Sequence, residues 1–214
     1  MMKVLSSDLS PYATRIRMLI GHKQLPIAIE PPDVPLRTPA FVRKYPFGKI
    51  PVLVRDDGAT LAESWSILEY LESSYPEPAL APTDPWQKAQ MNARGRFVDT
   101  QLAPAAFPLF GHFLGRPGVD VPAQISQLRQ ELGKANVIWQ QAGAINERGL
   151  DLADIALAPV LYFVLSLPKM LGEPADLLAE QPALQDWWQK VMDVAAIKAG
   201  IDEMALAFQA FAKR

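Results

Sequence analysis

The sequence predicts a first domain that mixes strands and helices, followed by a domain built only from helices. Short strand-like segments alternate with helical patterns as far as Tyr75. Four prolines from Pro76 to Pro85 then forbid regular structure. Every later pattern has helical spacing. We therefore expect residues 1–76 to form an α/β domain, residues 77–85 a linker and residues 86–214 an all-helical domain.

The first half of the α/β domain begins with a strand and a helix. Met2–Leu5 has the pattern of a short strand. Ser10 followed by Pro11 is a typical helix start, with serine as the N-cap and proline in the first turn. The helix continues with apolar residues at helical spacing, Ile16, Leu19 and Ile20. A second strand is expected at 27–29, and a short helical turn after Thr38.

The second half of this domain reads as a hairpin and a helix. Pro51–Val54 is strand-like, and Asp56-Asp57-Gly58 is a tight turn into Ala59–Ala62. Ser64–Tyr75 follows with an apolar helical face. The order strand, helix, strand, hairpin, helix is that of a thioredoxin-like domain.

Five helical patterns follow the proline-rich stretch. They run from Trp86 to Leu114, from Pro122 to Ile145, from Leu150 to Leu167, from Pro182 and up to Phe211. Pro104 and Pro108 should kink or break the first, and Pro159 should kink the third. Asp151 can N-cap the third helix, with Asp154 three residues further on.

Composition limits the classes of function. The chain has 214 residues, of which 50% are hydrophobic, and no cysteine. Disulfides, zinc–cysteine sites and a cysteine nucleophile are therefore excluded. With two histidines, a transition-metal site is not expected. The formal net charge of −2 gives no footprint for nucleic acid or membrane. No apolar run approaches about 20 residues, and no signal peptide is evident, so a cytoplasmic protein is expected.

Ser10 is the first residue that could carry chemistry. A helix N-terminus has free N–H groups and a partial positive charge. A hydroxyl at that position can therefore help to stabilise a thiolate. The alternative is that Ser10 serves only as a helix cap.

Two further segments could hold a small peptide. A cis bond before Pro51 would turn the backbone of Ile50 outward, where it could pair with an extended peptide; the alternative is a trans turn. Ser64 at a helix N-terminus can bind a carboxylate, and Glu63 can pair with an amine; the alternative is an ordinary cap. Together the segments suit a peptide that bears an amine, a carboxylate and a thiol.

In this order and spacing, three segments resemble the cytosolic glutathione transferases: Ser10–Arg15, Gly48–Leu53, and Glu63-Ser64 followed by Ile67. The resemblance covers nearly the whole chain. It implies a thioredoxin-like domain, a helical domain, a homodimer and glutathione as co-substrate without a metal.

The resemblance also implies roles for individual residues. Ser10 falls where serine-type members hold the catalytic residue, and Arg15 falls on a nearby basic position. The glutathione-binding positions correspond to Lys49, Ile50, Pro51, Glu63 and Ser64. In such members the residue at Ile50 binds through its backbone, and the proline at Pro51 is cis. Tyr12 is a second candidate for the donor to the thiol.

Departures from the family's sequence motifs make two of its reaction types less favoured. Ser10-Pro11-Tyr12 resembles the omega-type Cys-Pro-Tyr with the thiol replaced, which disfavours mixed-disulfide chemistry. The Ser-Ser-Cys of zeta-type isomerases is absent, which makes maleylacetoacetate isomerase a weak candidate. The expected function is conjugation of the glutathione thiolate to an apolar electrophile, a detoxification reaction. The alternatives are a non-catalytic binding or regulatory protein, or a glutathione-dependent lyase, isomerase or dehalogenase.

The second substrate is expected against the helical domain. Phe107, Phe110 and Phe113 recur every third residue and could line an apolar cleft; core packing is the alternative. His112 lies among them and is interpreted as structural.

Overall fold

A computed structural model of the chain describes residues 1–173 and 176–213. The described chain forms two compact units. Met1–Leu80 and the chain from Ala195 onward make the first unit, and Ala81–Val194 makes the second. The last helix, which the sequence assigned to the helical domain, thus packs with the first unit.

The first unit contains the predicted thioredoxin-like arrangement. Its elements are β1 (Lys3–Leu5), α1 (Pro11–Lys23), β2 (Ala28–Glu30), α2 (Pro39–Lys44), β3 (Val52–Val54), β4 (Thr60–Leu61) and α3 (Ser64–Ser74). The strand order is β2-β1-β3-β4. β1 runs parallel to β2 and antiparallel to β3, with Leu5 opposite Val52. The predicted fold class is confirmed.

The two central strands bury adjacent residues, Val4 and Leu5 in β1 and Val52 and Leu53 in β3, so both faces of the sheet are covered there. Leu5 and Val52 pack with Phe41 and Tyr45, whose rings lie 4.9 Å apart. Such burial stabilises each large apolar side chain by about 1.5–3 kcal/mol. This cluster fixes the ends of β1 and β3, next to the loops that lead to the candidate site.

The second unit is helical throughout its regular elements. These are α4 (Pro85–Phe97), a π-helical segment (Val98–Leu102), α5 (Ala103–Phe113), α6 (Val121–Ala142), α7 (Ile145–Arg148), α8 (Leu152–Met170) and α9 (Pro182–Val191). The chain then returns to the first unit as α10 (Ala195–Ala212). The expected break near Pro104 is a π-helical segment. Its wider turn changes the backbone hydrogen-bond pattern just before Pro104, which has no N–H to donate. Pro108 and Pro159 lie inside helices that continue.

α8 is longer and more apolar than expected from the sequence, where no apolar run of about 20 residues was recognised. This 19-residue helix has a mean hydropathy of 1.5 over its best window, enough by length and composition to cross a membrane. Within the described residues it alone passes that test, and 78% of the window is buried in the protein. The pattern is that of a core helix.

The start of α8 carries the predicted cap in an extended form. Asp151 and Asp154 form a capping box, as expected. The Asp154 carboxylate also accepts bonds from the indole nitrogens of Trp139 (3.1 Å) and Trp187 (2.8 Å). Two nitrogens of Arg148 bind it, each at 2.7 Å. Asp154 therefore joins α6, α7, α8 and α9.

Asp151 is the second carboxylate of this cluster. Its side chain pairs with Arg94 and Arg148. Burial, and next the neighbouring Asp154 carboxylate, raises the pKa of Asp151 to about 6, against the opposing effect of both arginines. Two carboxylates and two guanidinium groups therefore share one buried network.

Candidate functional site

Ser10 begins α1 as predicted. Its backbone is extended, and its Oγ accepts a hydrogen bond from the backbone N–H of Ala13 at 3.2 Å. Because the oxygen is the acceptor in this bond, the hydroxyl hydrogen is still free to be donated to a ligand. Capping the helix and donating to a thiolate are thus compatible roles for a half-buried residue.

Arg15 links the two helix N-termini that the sequence singled out. It is fully buried, and its Nη1 donates to Ser64 Oγ at 3.2 Å. Its guanidinium lies 5.0 Å from the ring centre of Tyr12. Arginine keeps its charge in folded proteins, so this contact places a positive charge between the starts of α1 and α3. Arg15 therefore contacts Tyr12 and Ser64 and acts as a buried link between α1, which begins after Ser10, and α3.

Glu63 has an unusual backbone. Its φ of 66° is rare for a residue with a Cβ, and holding it there costs about 1–3 kcal/mol. Its side chain makes no helix-cap hydrogen bond and is exposed. Strained residues concentrate at ligand sites. The exposed carboxylate next to the start of α3 is consistent with the predicted amine contact.

The segment before β3 has the predicted peptide geometry. The Ile50–Pro51 bond is cis, as expected. Ile50 precedes the first paired residue of β3 and packs partly on the core cluster around Phe41. Lys49 is exposed. A second cis bond, Glu77–Pro78, was not expected.

The three phenylalanines of α5 do not form one uniform surface. Phe110 packs edge-on against Phe163 of α8, with ring centres 5.4 Å apart, so it belongs partly to the core of the second unit. Phe107 is 45% exposed. Phe113 is half-buried. Their binding role stays a prediction.

The first unit has an open pocket that could not be predicted from the sequence. It has a volume of about 230 Å³ and is bounded on one side by Ser7, Asp8 and Leu9, the residues just before Ser10. The opposite wall comes from α10, through Ala207, Ala210 and Phe211. The two walls are about two hundred residues apart in sequence, so no local pattern could join them.

No group of three or more acidic, histidine or cysteine side chains within residues 1–173 and 176–213 is arranged to hold a metal ion.

Known proteins that are similar to this chain come mainly from one family. Residues 5–79 match the family model of the glutathione S-transferase N-terminal domain. Maleylacetoacetate isomerase of Pseudomonas aeruginosa is 29% identical over 194 residues, covering 82% of this chain and 89% of that protein. Glutathione S-transferase U2 of Arabidopsis thaliana is 33% identical over 132 residues, covering 61% of this chain and 56% of that protein.

Solved structures give the same result. A glutathione S-transferase from Methylobacillus flagellatus, with glutathione bound, superposes with a TM-score of 0.78 at 26% identity. The match covers 94% of this chain and 98% of that one. Residues 5–79 therefore match a glutathione S-transferase N-terminal domain, and the chain shares the fold of this solved glutathione S-transferase.

Proposed function

We propose that the protein is a glutathione transferase that conjugates the thiolate of reduced glutathione to an apolar electrophile. The observation that carries the proposal is the buried contact between Arg15 and Ser64, which associates the N-termini of α1 and α3. Each terminus offers N–H groups and a partial positive charge, and glutathione is an anionic peptide. The related bacterial structure with bound glutathione supports this ligand.

In this proposal the ends of glutathione are bound by different segments. Glu63 pairs with the amine of the γ-glutamyl end, and Ser64 with the start of α3 binds its carboxylate. The backbone of Ile50, beside Pro51, pairs with the peptide, and Lys49 supplies a cation. Ser10 then donates to the thiolate.

Magnitudes support Ser10 as the donor. A free thiol titrates near 8.5, and lowering this by about two pKa units requires about 2.7 kcal/mol. A hydrogen bond to a charged group contributes about 1.5–3 kcal/mol, and the helix N-terminus adds about 0.3–1 kcal/mol. Together they are sufficient for a thiolate at neutral pH.

The electrophile is proposed to use the open pocket formed by the residues just before Ser10 and by α10. Its volume of about 230 Å³ is below the roughly 300–1,000 Å³ of most ligand pockets, so it would take only a small molecule or one end of a larger one. A role for Phe107, Phe110 and Phe113 in binding an apolar substrate is retained as a separate proposal. Binding both reactants together supplies proximity, which can replace much of the entropic barrier. We also propose a cytoplasmic homodimer, as is common in this family.

Isomerisation is the second candidate, because the Pseudomonas aeruginosa relative is an isomerase that aligns over most of both chains. An isomerase regenerates glutathione, whereas a transferase consumes it. Turnover measured as loss of free thiol, alongside cis–trans isomerisation of a maleyl compound, separates the two. Glutathione binding without any turnover would favour the regulatory alternative.

The experiment that tests the serine mechanism is a titration of bound glutathione, followed by thiolate absorbance. Ser10→Ala removes the donor and leaves the helix N-terminus, so the thiol pKa should rise by about one to two units. Thr38→Ala is the matched control, because Thr38 caps α2 in the same way before Pro39. It should cost similar stability without changing the titration. Identical titration curves for wild type and Ser10→Ala would contradict the serine mechanism and favour Tyr12 or Arg15 as the group that stabilises the thiolate.

A further inference from the structure

Arg17 is a buried arginine that the proposed mechanism does not use. It lies two residues after Arg15 on α1 and is 8% exposed. Its Nη1 donates to Ser6 Oγ at 2.7 Å and to the backbone oxygen of Ser7 at 3.2 Å. Its Nη2 donates to Thr14 Oγ1 at 2.9 Å. The guanidinium thus binds both the loop before α1 and the first turn of α1.

Two of these contacts lead directly to Ser10. The hydroxyl of Thr14 donates to the backbone oxygen of Ser10 at 3.0 Å, while it accepts from Arg17. The backbone N–H of Ser10 donates to the oxygen of Ser7 at 3.0 Å, the same oxygen that Arg17 binds. Both backbone polar groups of Ser10 are therefore held by groups that Arg17 contacts.

The remaining side of the guanidinium faces the last helix. Nε of Arg17 donates to Oε2 of Glu203 on α10 at 3.0 Å. The carboxylate of Asp8 lies 3.4 Å from Nη1. A guanidinium has five N–H groups arranged in a plane. Four of them donate to the acceptors on Ser6, Ser7, Thr14 and Glu203. The orientation of the side chain is consequently fixed from two directions.

Close helix packing sets the position of Glu203. A Cβ added to Gly200, one turn earlier on α10, would lie 2.9 Å from atoms of Met18 and 3.3 Å from Thr14 Cγ2. α10 therefore approaches α1 as closely as a glycine permits. This packing brings the Glu203 carboxylate, which is 53% exposed, within hydrogen-bond distance of the buried Arg17 guanidinium.

We propose that Arg17 is a positioning residue for Ser10 and that Glu203 anchors it, so that the last helix controls the geometry of the candidate catalytic serine. This inference rests on the proposed function. A serine that is to donate to a thiolate must keep its hydroxyl within hydrogen-bond distance, and loosening its backbone reduces that donation. The chain Glu203–Arg17–Thr14–Ser10 gives α10 a direct influence on thiol acidity.

The test compares Glu203→Ala and Glu203→Gln with Asp202→Ala. Glutamine keeps an acceptor for Arg17, whereas alanine removes it. Asp202 is the adjacent residue and forms an exposed pair with Lys198, so its variant removes one charge from the same helix. In Glu203→Ala we expect kcat at neutral pH to fall about three- to tenfold, with KM for glutathione changed less than about twofold, since up to one pKa unit of thiol acidity is lost. Glu203→Gln should restore most of kcat, and Asp202→Ala should match wild type.

A second readout needs no ligand. Amide hydrogen exchange of residues 6–10 should be about tenfold faster in Glu203→Ala than in wild type or Asp202→Ala, because the loop loses its anchor. Unchanged exchange would overturn the proposal. Faster exchange with an unchanged thiol pKa and kcat would also overturn it, since the contact would then be structural only. If wild type binds no glutathione, the proposed function itself fails, and the positioning role falls with it.

Discussion

Among single residues, Glu63 offers the clearest separation of backbone from side chain. Its positive φ is strained for any residue with a Cβ, while its exposed carboxylate is the proposed partner of the glutathione amine. Glycine adopts this conformation without steric cost. Replacement by alanine and by glycine therefore separates the two contributions.

We predict that Glu63→Ala and Glu63→Gly weaken glutathione affinity alike, by about ten- to a hundredfold, which corresponds to one lost charged hydrogen bond. Glu63→Gly should be the more stable of the two by about 1 kcal/mol, because the strain is relieved. Calorimetry and urea unfolding measure the two effects. Glu69→Ala, on the same helix, is the control. Unchanged affinity in both variants would remove Glu63 from the site.

The sequence could predict some residues of the candidate site, but not the side-chain contacts between them. Ser10 before Pro11 indicated a cap, and the segment before Pro51 indicated the cis bond; both are observed. Arg15 was expected only as a nearby basic residue. Its bond to Ser64 spans 49 positions, so it depends on how α3 packs on α1 and has no local signal.

At the level of elements, the start of α8 is more than a helix cap. The sequence motif Asp151-x-x-Asp154 predicted reciprocal capping, which is observed. Donors from Trp139 and Trp187 converge on the same carboxylate. An unpaired buried donor costs about 1–3 kcal/mol.

We predict that Asp154→Ala destabilises the protein by about 3–5 kcal/mol, since it leaves two buried indole N–H groups without their acceptor and removes two hydrogen bonds of Arg148, which keeps Asp151 as its carboxylate partner. Asp120→Ala is the matched control. Asp120 caps α6 through one bond to Ala123, so its loss should cost only about 0.5–2 kcal/mol. Equal losses in urea unfolding would show that Asp154 acts as a simple cap.

At the scale of the whole molecule, the buried carboxylate network makes stability depend on pH. A raised pKa means that folded Asp151 binds its proton more tightly than the unfolded chain does. Its contribution is therefore most favourable below about pH 4. It declines as pH rises between the usual aspartate pKa of 3.8 and the folded pKa of about 6.

We predict that wild type gains stability relative to Asp151→Asn when the pH is lowered from 7.5 to 4.5. The full effect of about two pKa units corresponds to about 3 kcal/mol, and about 2 kcal/mol of it should appear between these two pH values. Urea unfolding of both proteins at the two pH values isolates this group from the other carboxylates. A change in the opposite direction would mean that attraction by Arg94 and Arg148 outweighs burial.

The overall architecture was predictable where it depends on local patterns. Strand and helix periodicity and the proline-rich stretch were sufficient for the order of elements. The assignment of α10 to the first unit was not, because it depends on tertiary contacts such as those between Gly200 and Met18. The pocket between residues 7–9 and α10, and the contacts of Arg17 with Glu203, depend on the same long-range packing and could not be predicted either.

The placement of α10 has a consequence for synthesis on the ribosome. Domains generally fold as units, with N-terminal ones forming first as the chain emerges. Here the first unit is discontinuous, since its last helix begins at Ala195. The second unit can therefore complete its contacts while the nascent first unit still exposes the α1 surface that α10 will cover. The proposed glutathione site, although its residues lie in the first third of the sequence, would therefore be among the last parts of the protein to mature.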